Sequence, residues 1–224
     1  MRLTNSLLLN IGLSILLASI LGGCATAPPT PSNKPQHQLL NRQHLDKLAT
    51  IKQFSLKGRI AVNTEGKGYS GNLTWVHNPD TDKIEMFSPL GGKVSEINKN
   101  STEVTLITSD GKHFNAIDAE TLTQNTLGWR LPLSGLVDWL IGRPAANKNE
   151  ANSTATDITL DELGRIVTLK QDGWDIEYAQ YANINGYSLP NKITLRSTKV
   201  NLKLLVENWN SINSIPFTPN SPSN

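Results

Sequence analysis

Apolar and polar residues alternate with a period of two through most of the middle of this 224-residue chain, and nothing else constrains its fold as much. Phe54, Leu56, Ile60 and Val62 alternate with Ser55, Lys57, Arg59 and Asn63, the pattern of a strand with one buried face. After a Gly-containing turn from Thr64 to Gly68, the residues Tyr69, Gly71, Leu73 and Trp75 repeat it. His77-Asn78-Pro79-Asp80 turns the chain, and Ile84 and Met86 begin a third strand that ends at a Ser88–Gly92 loop. Val94 and Ile97 fall out of strict alternation, which predicts a bulge. Val104 and Leu106 form the next strand, and Asp110-Gly111 makes a hairpin turn before Phe114. Ile166–Lys170 and Trp174–Tyr178 flank another turn, Gln171-Asp172-Gly173. Leu189, Ile193 and Leu195 follow, with Pro190 pointing to an edge or to the strand's first residues. Val200, Leu202, Leu204 and Val206 form the last strand. About ten or eleven short strands joined by hairpins predict a mainly β chain with a few helices, built as a strongly curved antiparallel sheet or barrel.

Helices are expected at three places. Gln38 to Ile51 carries Leu39, Leu40 and Leu48 among polar residues. Asp118 can cap a short helix that runs to about Leu127. After Leu131-Pro132, the residues Leu133, Leu136, Val137, Leu140 and Ile141 form one apolar stripe at helical spacing, with Trp139 off it. Pro132 suits that helix's first turn, and Gly142 followed by Pro144 suits its end. This helix either plugs the barrel as plain core or covers a cavity. Asn147 to Thr156 reads as a polar loop.

The ends of the chain carry a different message. Arg2, the apolar run from Leu7 to Ile20, and Leu21-Gly22-Gly23 before Cys24 read as a secretory signal over residues 1–23 with a cleavage site. The spacing resembles a bacterial lipobox, which implies that Cys24 becomes a lipidated first residue; an ordinary signal peptide or a buried lone cysteine is the alternative. Cys24 is the only cysteine, so no disulfide is expected. Acylation would anchor the chain to a membrane rather than span it. By resemblance to enterobacterial lipoproteins, the absence of aspartate at Ala25 implies outer-membrane delivery. Pro28, Pro29, Pro31 and Pro35 make residues 24–36 an extended tether, at roughly 3 Å per residue. Residues 37–209 are the size of one domain, and 210–224 read as a polar tail.

Several chemistries find no support. With 21 basic and 19 acidic residues, charge gives no reason to expect a nucleic-acid partner. Gly66-Lys67-Gly68-Tyr69-Ser70-Gly71 fits a dinucleotide motif but leads into a strand rather than a helix. His37, His44, His77 and His113 are scattered without metal-ligand spacing. Asp80/Asp82 and Asp161/Glu162 read as turn carboxylates, with a catalytic pair as the alternative. Catalytic residues, metal and cofactor are therefore not expected, and the chain reads as no enzyme. One apolar residue stands out within a turn. In Phe87-Ser88-Pro89-Leu90-Gly91-Gly92-Lys93, Leu90 sits among turn formers, so it either folds into the core or is exposed for an apolar partner.

At this point the chain resembles the LolB family of outer-membrane lipoprotein receptors. The likeness runs from about Phe54 to Trp209, on FSLKGRIAV, FSPLGG, TSDGKHFNAIDAE, LPLSGLVDWLIGRP, VTLKQDGWDIEY and LPNKITLRSTKVNLKLLVENW. LPLSGLVDWLIGRP and SPLGG are the most specific of these, while the tail after Trp209 and the loop at Asn147–Thr156 depart from the family's pattern. The resemblance implies an incomplete antiparallel barrel, a helical lid and a hydrophobic cavity. It implies a lipid-anchored receptor facing the periplasm that accepts lipoproteins from the carrier LolA by their acyl chains. It would pass them into the inner leaflet of the outer membrane, and so touch its phospholipid. It also implies that Leu90, presented by Pro89 and Gly91, is exposed and serves membrane delivery. Lining candidates are Leu73, Trp75, Ile84, Met86, Leu106, Trp174, Ile176, Leu202 and Leu204 on strands. The lid would add Leu133, Leu136, Val137 and Leu140. Lys93, Arg59 and Arg143 are possible contributors to the carrier interface. A monomer is expected. One alternative class is an outer-membrane scaffold lipoprotein with a filled barrel and no lipid transfer; another is a lipid-acting hydrolase, for which the sequence shows no nucleophile and base.

Overall fold

The computed structural model describes residues 35–64, 66–127, 130–146 and 154–213. The signal, Cys24, nearly all of the tether, most of the 147–156 loop and residues 214–224 lie outside that range.

Eleven strands form one antiparallel sheet. In chain order they are β1 (Phe54–Thr64), β2 (Lys67–Asn78), β3 (Thr81–Phe87), β4 (Lys93–Lys99), β5 (Val104–Thr108), β6 (His113–Ala116), β7 (Thr156–Leu160), β8 (Ile166–Gln171), β9 (Trp174–Ile184), β10 (Tyr187–Arg196) and β11 (Val200–Ile212). Their spatial order is β6-β5-β4-β3-β2-β1-β11-β10-β9-β8-β7. Two meanders therefore meet where the first strand pairs with the last, from Phe54 opposite Ile212 to Thr64 opposite Val200. β6 and β7 remain as unpaired edges, so the barrel is incomplete. The chain crosses from one edge to the other through two helices, α2 (Ala119–Leu127) and α3 (Leu133–Leu140). A third helix, α1 (Pro35–Leu48), precedes the sheet. Among the described residues no helix is long and apolar enough to cross a membrane.

The inner faces build the core by the alternation read above. Phe54, Leu56 and Val62 of β1, Leu73 and Trp75 of β2, and Leu202, Leu204 and Val206 of β11 are all buried. Curvature is helped by irregular pairing. The β1–β11 register shifts between Ser55 and Leu56 and again between Lys57 and Gly58. The bulge expected near Val94 is present: Met86 faces Ser95 and Phe87 faces Lys93, so Val94 is the extra residue.

Five local expectations need correction or refinement. The strand β7 is not among the strands expected from sequence, and it begins at Thr156, the last residue of the expected polar loop. β11 runs through Asn210 to Ile212, past the boundary placed at 209, because Phe54 and Ser55 need partners there. α1 begins at Pro35 rather than Gln38, since proline fits a first turn whose N–H groups have no helical acceptor. Pro190 lies within β10, opposite Tyr181 of β9, at a register shift and before the segment Lys192–Arg196 that pairs with β11; locally it is an edge residue. Trp139, off the helical stripe, is buried, whereas Val137 on the stripe is only half-buried.

Candidate functional site

The Leu90 loop is built by its own backbone. The Gly91 N–H donates to the Ser88 carbonyl at 2.9 Å, and the Ser88 N–H donates to the Gly92 carbonyl at 2.8 Å. Pro89 fixes the second turn position. Leu90 keeps a negative φ while Gly91 takes φ +91°, so a type I turn is followed by a left-handed glycine. The Ser88 hydroxyl accepts from the Gly92 N–H. Lys93 ties the base of the loop to Glu85 at 2.8 Å and to Glu96. Leu90 is left 98% exposed, which decides between core and surface.

Beneath the sheet's inner face lies a cavity of about 280 Å³. Its walls are Ile60 and Val62 of β1, Leu73 and Trp75 of β2, Ile84 and Met86 of β3, Ile97 of β4, and Leu202 and Leu204 of β11. Leu131 and Leu136 close one side, and Thr64, Lys67, Gly68 and Tyr69 at the β1–β2 turn form the rim. The lining is overwhelmingly apolar, with Lys67 its one charged residue. Such a space suits hydrocarbon and offers few polar groups to orient anything else.

Trp75 is held in place from behind. Its indole N–H donates to Asp82 Oδ1 at 2.9 Å, His77 Nδ1 lies 2.7 Å from the same oxygen, and Lys99 donates to Oδ2 at 3.2 Å. Burial alone would raise the Asp82 carboxyl, but hydrogen bonds from His77 and Trp75, with the Lys99 charge, hold it below the usual carboxylate range. A fully satisfied buried carboxylate thus fixes one wall of the cavity.

In the other half of the barrel α3 is fastened to the sheet by buried hydrogen bonds. Trp139 of α3 donates its indole N–H to Gln171 Oε1 of β8 at 2.8 Å, and Tyr178 of β9 donates to the Trp139 carbonyl at 2.9 Å. Gln171 also accepts from the Ala145 N–H and donates to the Ala145 carbonyl. Asp138 pairs with Arg143, whose guanidinium reaches the Leu48 carbonyl at the end of α1.

This division sorts the residues named from sequence. Leu73, Trp75, Ile84, Met86, Leu136, Leu202 and Leu204 line the cavity. Leu106, Leu133, Leu140, Trp174 and Ile176 do not; they are buried core, because α3 packs on the β8–β9 side and Leu106 lies beyond Ile97 on β5. Val137 is half-buried and also lies off the lining. Ile60, Val62 and Ile97 were missed as lining; Ile60 and Val62 share the same alternation, whereas Ile97 reaches the lining past the bulge at Val94 that interrupts it. Leu131 was noted only as the residue before Pro132. Of the charged candidates, Lys93 is engaged under the loop, Arg59 pairs with Glu207 at 2.7 Å, and Arg143 is bound within the lid. Among the described residues no cluster of His, Cys, Asp or Glu is placed to hold a metal.

Comparison with known proteins bears on this arrangement. Residues 52–209 match the family described as "Outer membrane lipoprotein LolB". An "Outer-membrane lipoprotein LolB" of Nitrosococcus oceani is 38% identical over 200 residues, covering 88% of this chain and 96% of that protein. The protein of that name from Stutzerimonas stutzeri is 31% identical over 205 residues, covering 91% of this chain and 96% of that one. The one from Nitrosomonas europaea is 37% identical over 158 residues, covering 70% and 72%. Among solved structures, a LolA-superfamily protein of Nitrosomonas europaea superposes with a TM-score of 0.46 at 10% identity, covering 79% of this chain and 94% of that one, a likeness too loose to build on.

Proposed function

The chain belongs to the LolB family, and from that premise we propose that it is a lipid-anchored receptor that accepts lipoproteins from the carrier LolA and releases them into the outer membrane. The observation that carries this reading is the apolar cavity enclosed by β1–β4 and β11. The acyl chains of a client leave the carrier's cavity for this one, and no covalent step is involved. Direction comes from differential affinity: the chains move where they are held more favourably. The lipid on Cys24 anchors the receptor, each buried CH₂ contributing about 0.8 kcal/mol. The anchored domain faces the periplasm and works as a monomer.

Leu90 supplies the delivery step. A leucine fully exposed at a turn tip gains about 1.5–3 kcal/mol on entering hydrocarbon. That biases orientation at the bilayer surface without anchoring the protein. Pro89 and Gly91 keep the tip short and raised.

The test uses the mature chain, residue 24 onward, with Cys24→Ala so that no lipid anchors it. Wild-type Leu90 and Leu90→Glu forms are mixed with carrier loaded with an acylated lipoprotein, and then with liposomes. Both forms should take cargo and only the Leu90 form should deliver it. If neither takes cargo from a competent carrier, the receptor reading fails and a scaffold role takes its place. An apolar fluorophore then separates the two, since a scaffold with a filled barrel would leave it dark.

A further inference from the structure

The outer face of the sheet is where the Leu90 loop meets a group of cations. A cross-strand row runs from Lys192 on β10 to Leu205 on β11, Arg59 on β1, Asn72 on β2 and Phe87 on β3. Phe87 is the last strand residue before the turn that presents Leu90. Lys203 lies one step along, between Thr194 of β10 and Ala61 of β1. Arg59, Lys192, Lys203 and Pro89 border one shallow groove on this face. Charge in that groove is therefore continuous in space with the loop, although the residues are far apart in sequence.

The charge there is only partly compensated. Arg59 is matched by Glu207, but Lys192 and Lys203 are exposed and form no ion pair among the described residues. The strands on either side are balanced. On β3 and β4, Lys83 and Lys93 are matched by Glu85 and Glu96. Toward the other edge, Arg196 pairs with Glu177 and Lys170 with Asp157 and Asp175. The chain as a whole carries a formal charge of only +2; Lys57, two residues before Arg59 on the same face, adds to the cations there, while Lys67 and Lys199 at strand ends are likewise exposed without an ion pair among the described residues.

We propose that this groove on β1, β2, β10 and β11 docks anionic phospholipid headgroups, holding the sheet's outer face at the bilayer surface while Leu90 enters it. The inference rests on the reading of Leu90 as the side chain that enters the membrane. Lys192 and Lys203 supply ammonium groups to headgroup phosphates, and Leu205 and Ala61 between them present short apolar surface in place of competing carboxylates. A lysine near an anionic surface strengthens binding about fivefold, and the gain disappears with salt because it acts only within a Debye length. The headgroup contact sets which face of the barrel meets the membrane, a choice that one leucine on a turn leaves open.

Sedimentation with vesicles tests it, again with the mature chain carrying Cys24→Ala. The vesicles are phosphatidylcholine alone, or phosphatidylcholine with roughly a quarter replaced by phosphatidylglycerol, at about 0.05 M and about 0.5 M salt. Phosphatidylglycerol should strengthen binding at low salt and lose its effect at high salt. The Lys192→Gln/Lys203→Gln variant should lose most of that increment, on the order of tenfold or more, while taking cargo from the carrier as the parent does. Leu90→Glu should weaken binding to both kinds of vesicle. An undiminished phosphatidylglycerol effect in the double variant overturns the proposal. So does a double variant that keeps this effect but no longer takes cargo, since the groove would then serve the carrier. If the parent chain takes no cargo at all, the receptor reading falls, while the phosphatidylglycerol dependence is judged on its own.

Discussion

At the scale of single residues, the loop shows how exposure and rigidity are separated. Leu90 touches almost nothing, so Leu90→Glu should leave the thermal midpoint within the shift of about ±0.5 kcal/mol usual for surface changes while abolishing delivery. The residues below it are packed tightly. A Cβ at Gly71 would stand 2.1 Å from the Phe87 carbonyl oxygen and 2.6 Å from the Tyr69 hydroxyl, both backing the loop. Gly71→Ala should therefore push β2 from β3 and cost about 1–3 kcal/mol, read as a lowered unfolding midpoint. Glu96 links the same region to pH. Burial opposes its ionisation, but hydrogen bonds from Lys93 and Asn98, with the nearby Lys83 charge, bring its carboxyl down to about 2. An unfolded glutamate titrates near 4.3. Its stabilising contribution is thus complete above that value and is lost as pH falls toward 2. Stability measured across this window should fall less steeply in Glu96→Gln than in the parent.

At the scale of elements, the two helices over the barrel differ in how they are held. α3 is fastened through Trp139, Gln171 and Tyr178, all buried. Removing the Gln171 amide strands the Trp139 and Ala145 N–H groups, and each buried orphan costs about 1–3 kcal/mol. Gln171→Leu should accordingly lower stability by roughly 2–5 kcal/mol in denaturant unfolding. α2 is tied to α3 mainly by Glu120 accepting from Ser134, an exposed contact, and by Thr123 accepting from the Leu131 N–H. Amide exchange should therefore be slow in α3 and faster in α2. Slow exchange throughout α2 would mean that both helices are equally fixed. Sequence periodicity gave no hint of this difference. It put Trp139 off the apolar stripe, yet the stripe describes one face only, and α3 also meets the sheet through Trp139, which reaches Gln171 of β8 and Tyr178 of β9. Whether a helix fills a barrel or leaves room beside it depends on its position relative to distant strands, and alternation within those strands does not encode that. The cavity's strand walls were legible for this reason, and the assignment of Leu133, Leu140, Trp174 and Ile176 to its lining was not.

At the scale of the whole molecule, the fold depends on joining two meanders that are each written locally. The hairpins were readable because a period of two and a turn signal such as Asp172-Gly173 need only neighbouring residues. The join was less readable. Near its end β11 passes through Asn208, Trp209, Asn210 and Ser211, a polar run made pairable by the register shift at Ser55/Leu56, so sequence suggested a tail from 210. The structure places a clamp there instead. Ile212 is packed opposite Phe54, and the Ser55 and Ser211 hydroxyls are 2.8 Å apart. Asn213 accepts from the Lys52 N–H at 2.8 Å, donates its own N–H to Gln53 at 2.9 Å, and reaches the Thr50 carbonyl with its amide. These contacts fasten the last strand to the segment that leads from α1 into the first. Among the described residues the ladder between β1 and β11 is the only strand pairing that connects one meander to the other, so weakening its end should be felt in both. Two truncations make the point measurable. A chain ending after Asn213 keeps the clamp and sets the reference midpoint. One ending after Trp209 loses Ile212 burial and the Asn213 contacts, a loss of about 3–5 kcal/mol, and should unfold earlier in a single transition. Equal midpoints for the two would show that the clamp adds nothing to the join. Two separate transitions in the shorter chain would show that the meanders hold independently, and that the cavity they enclose does not need both.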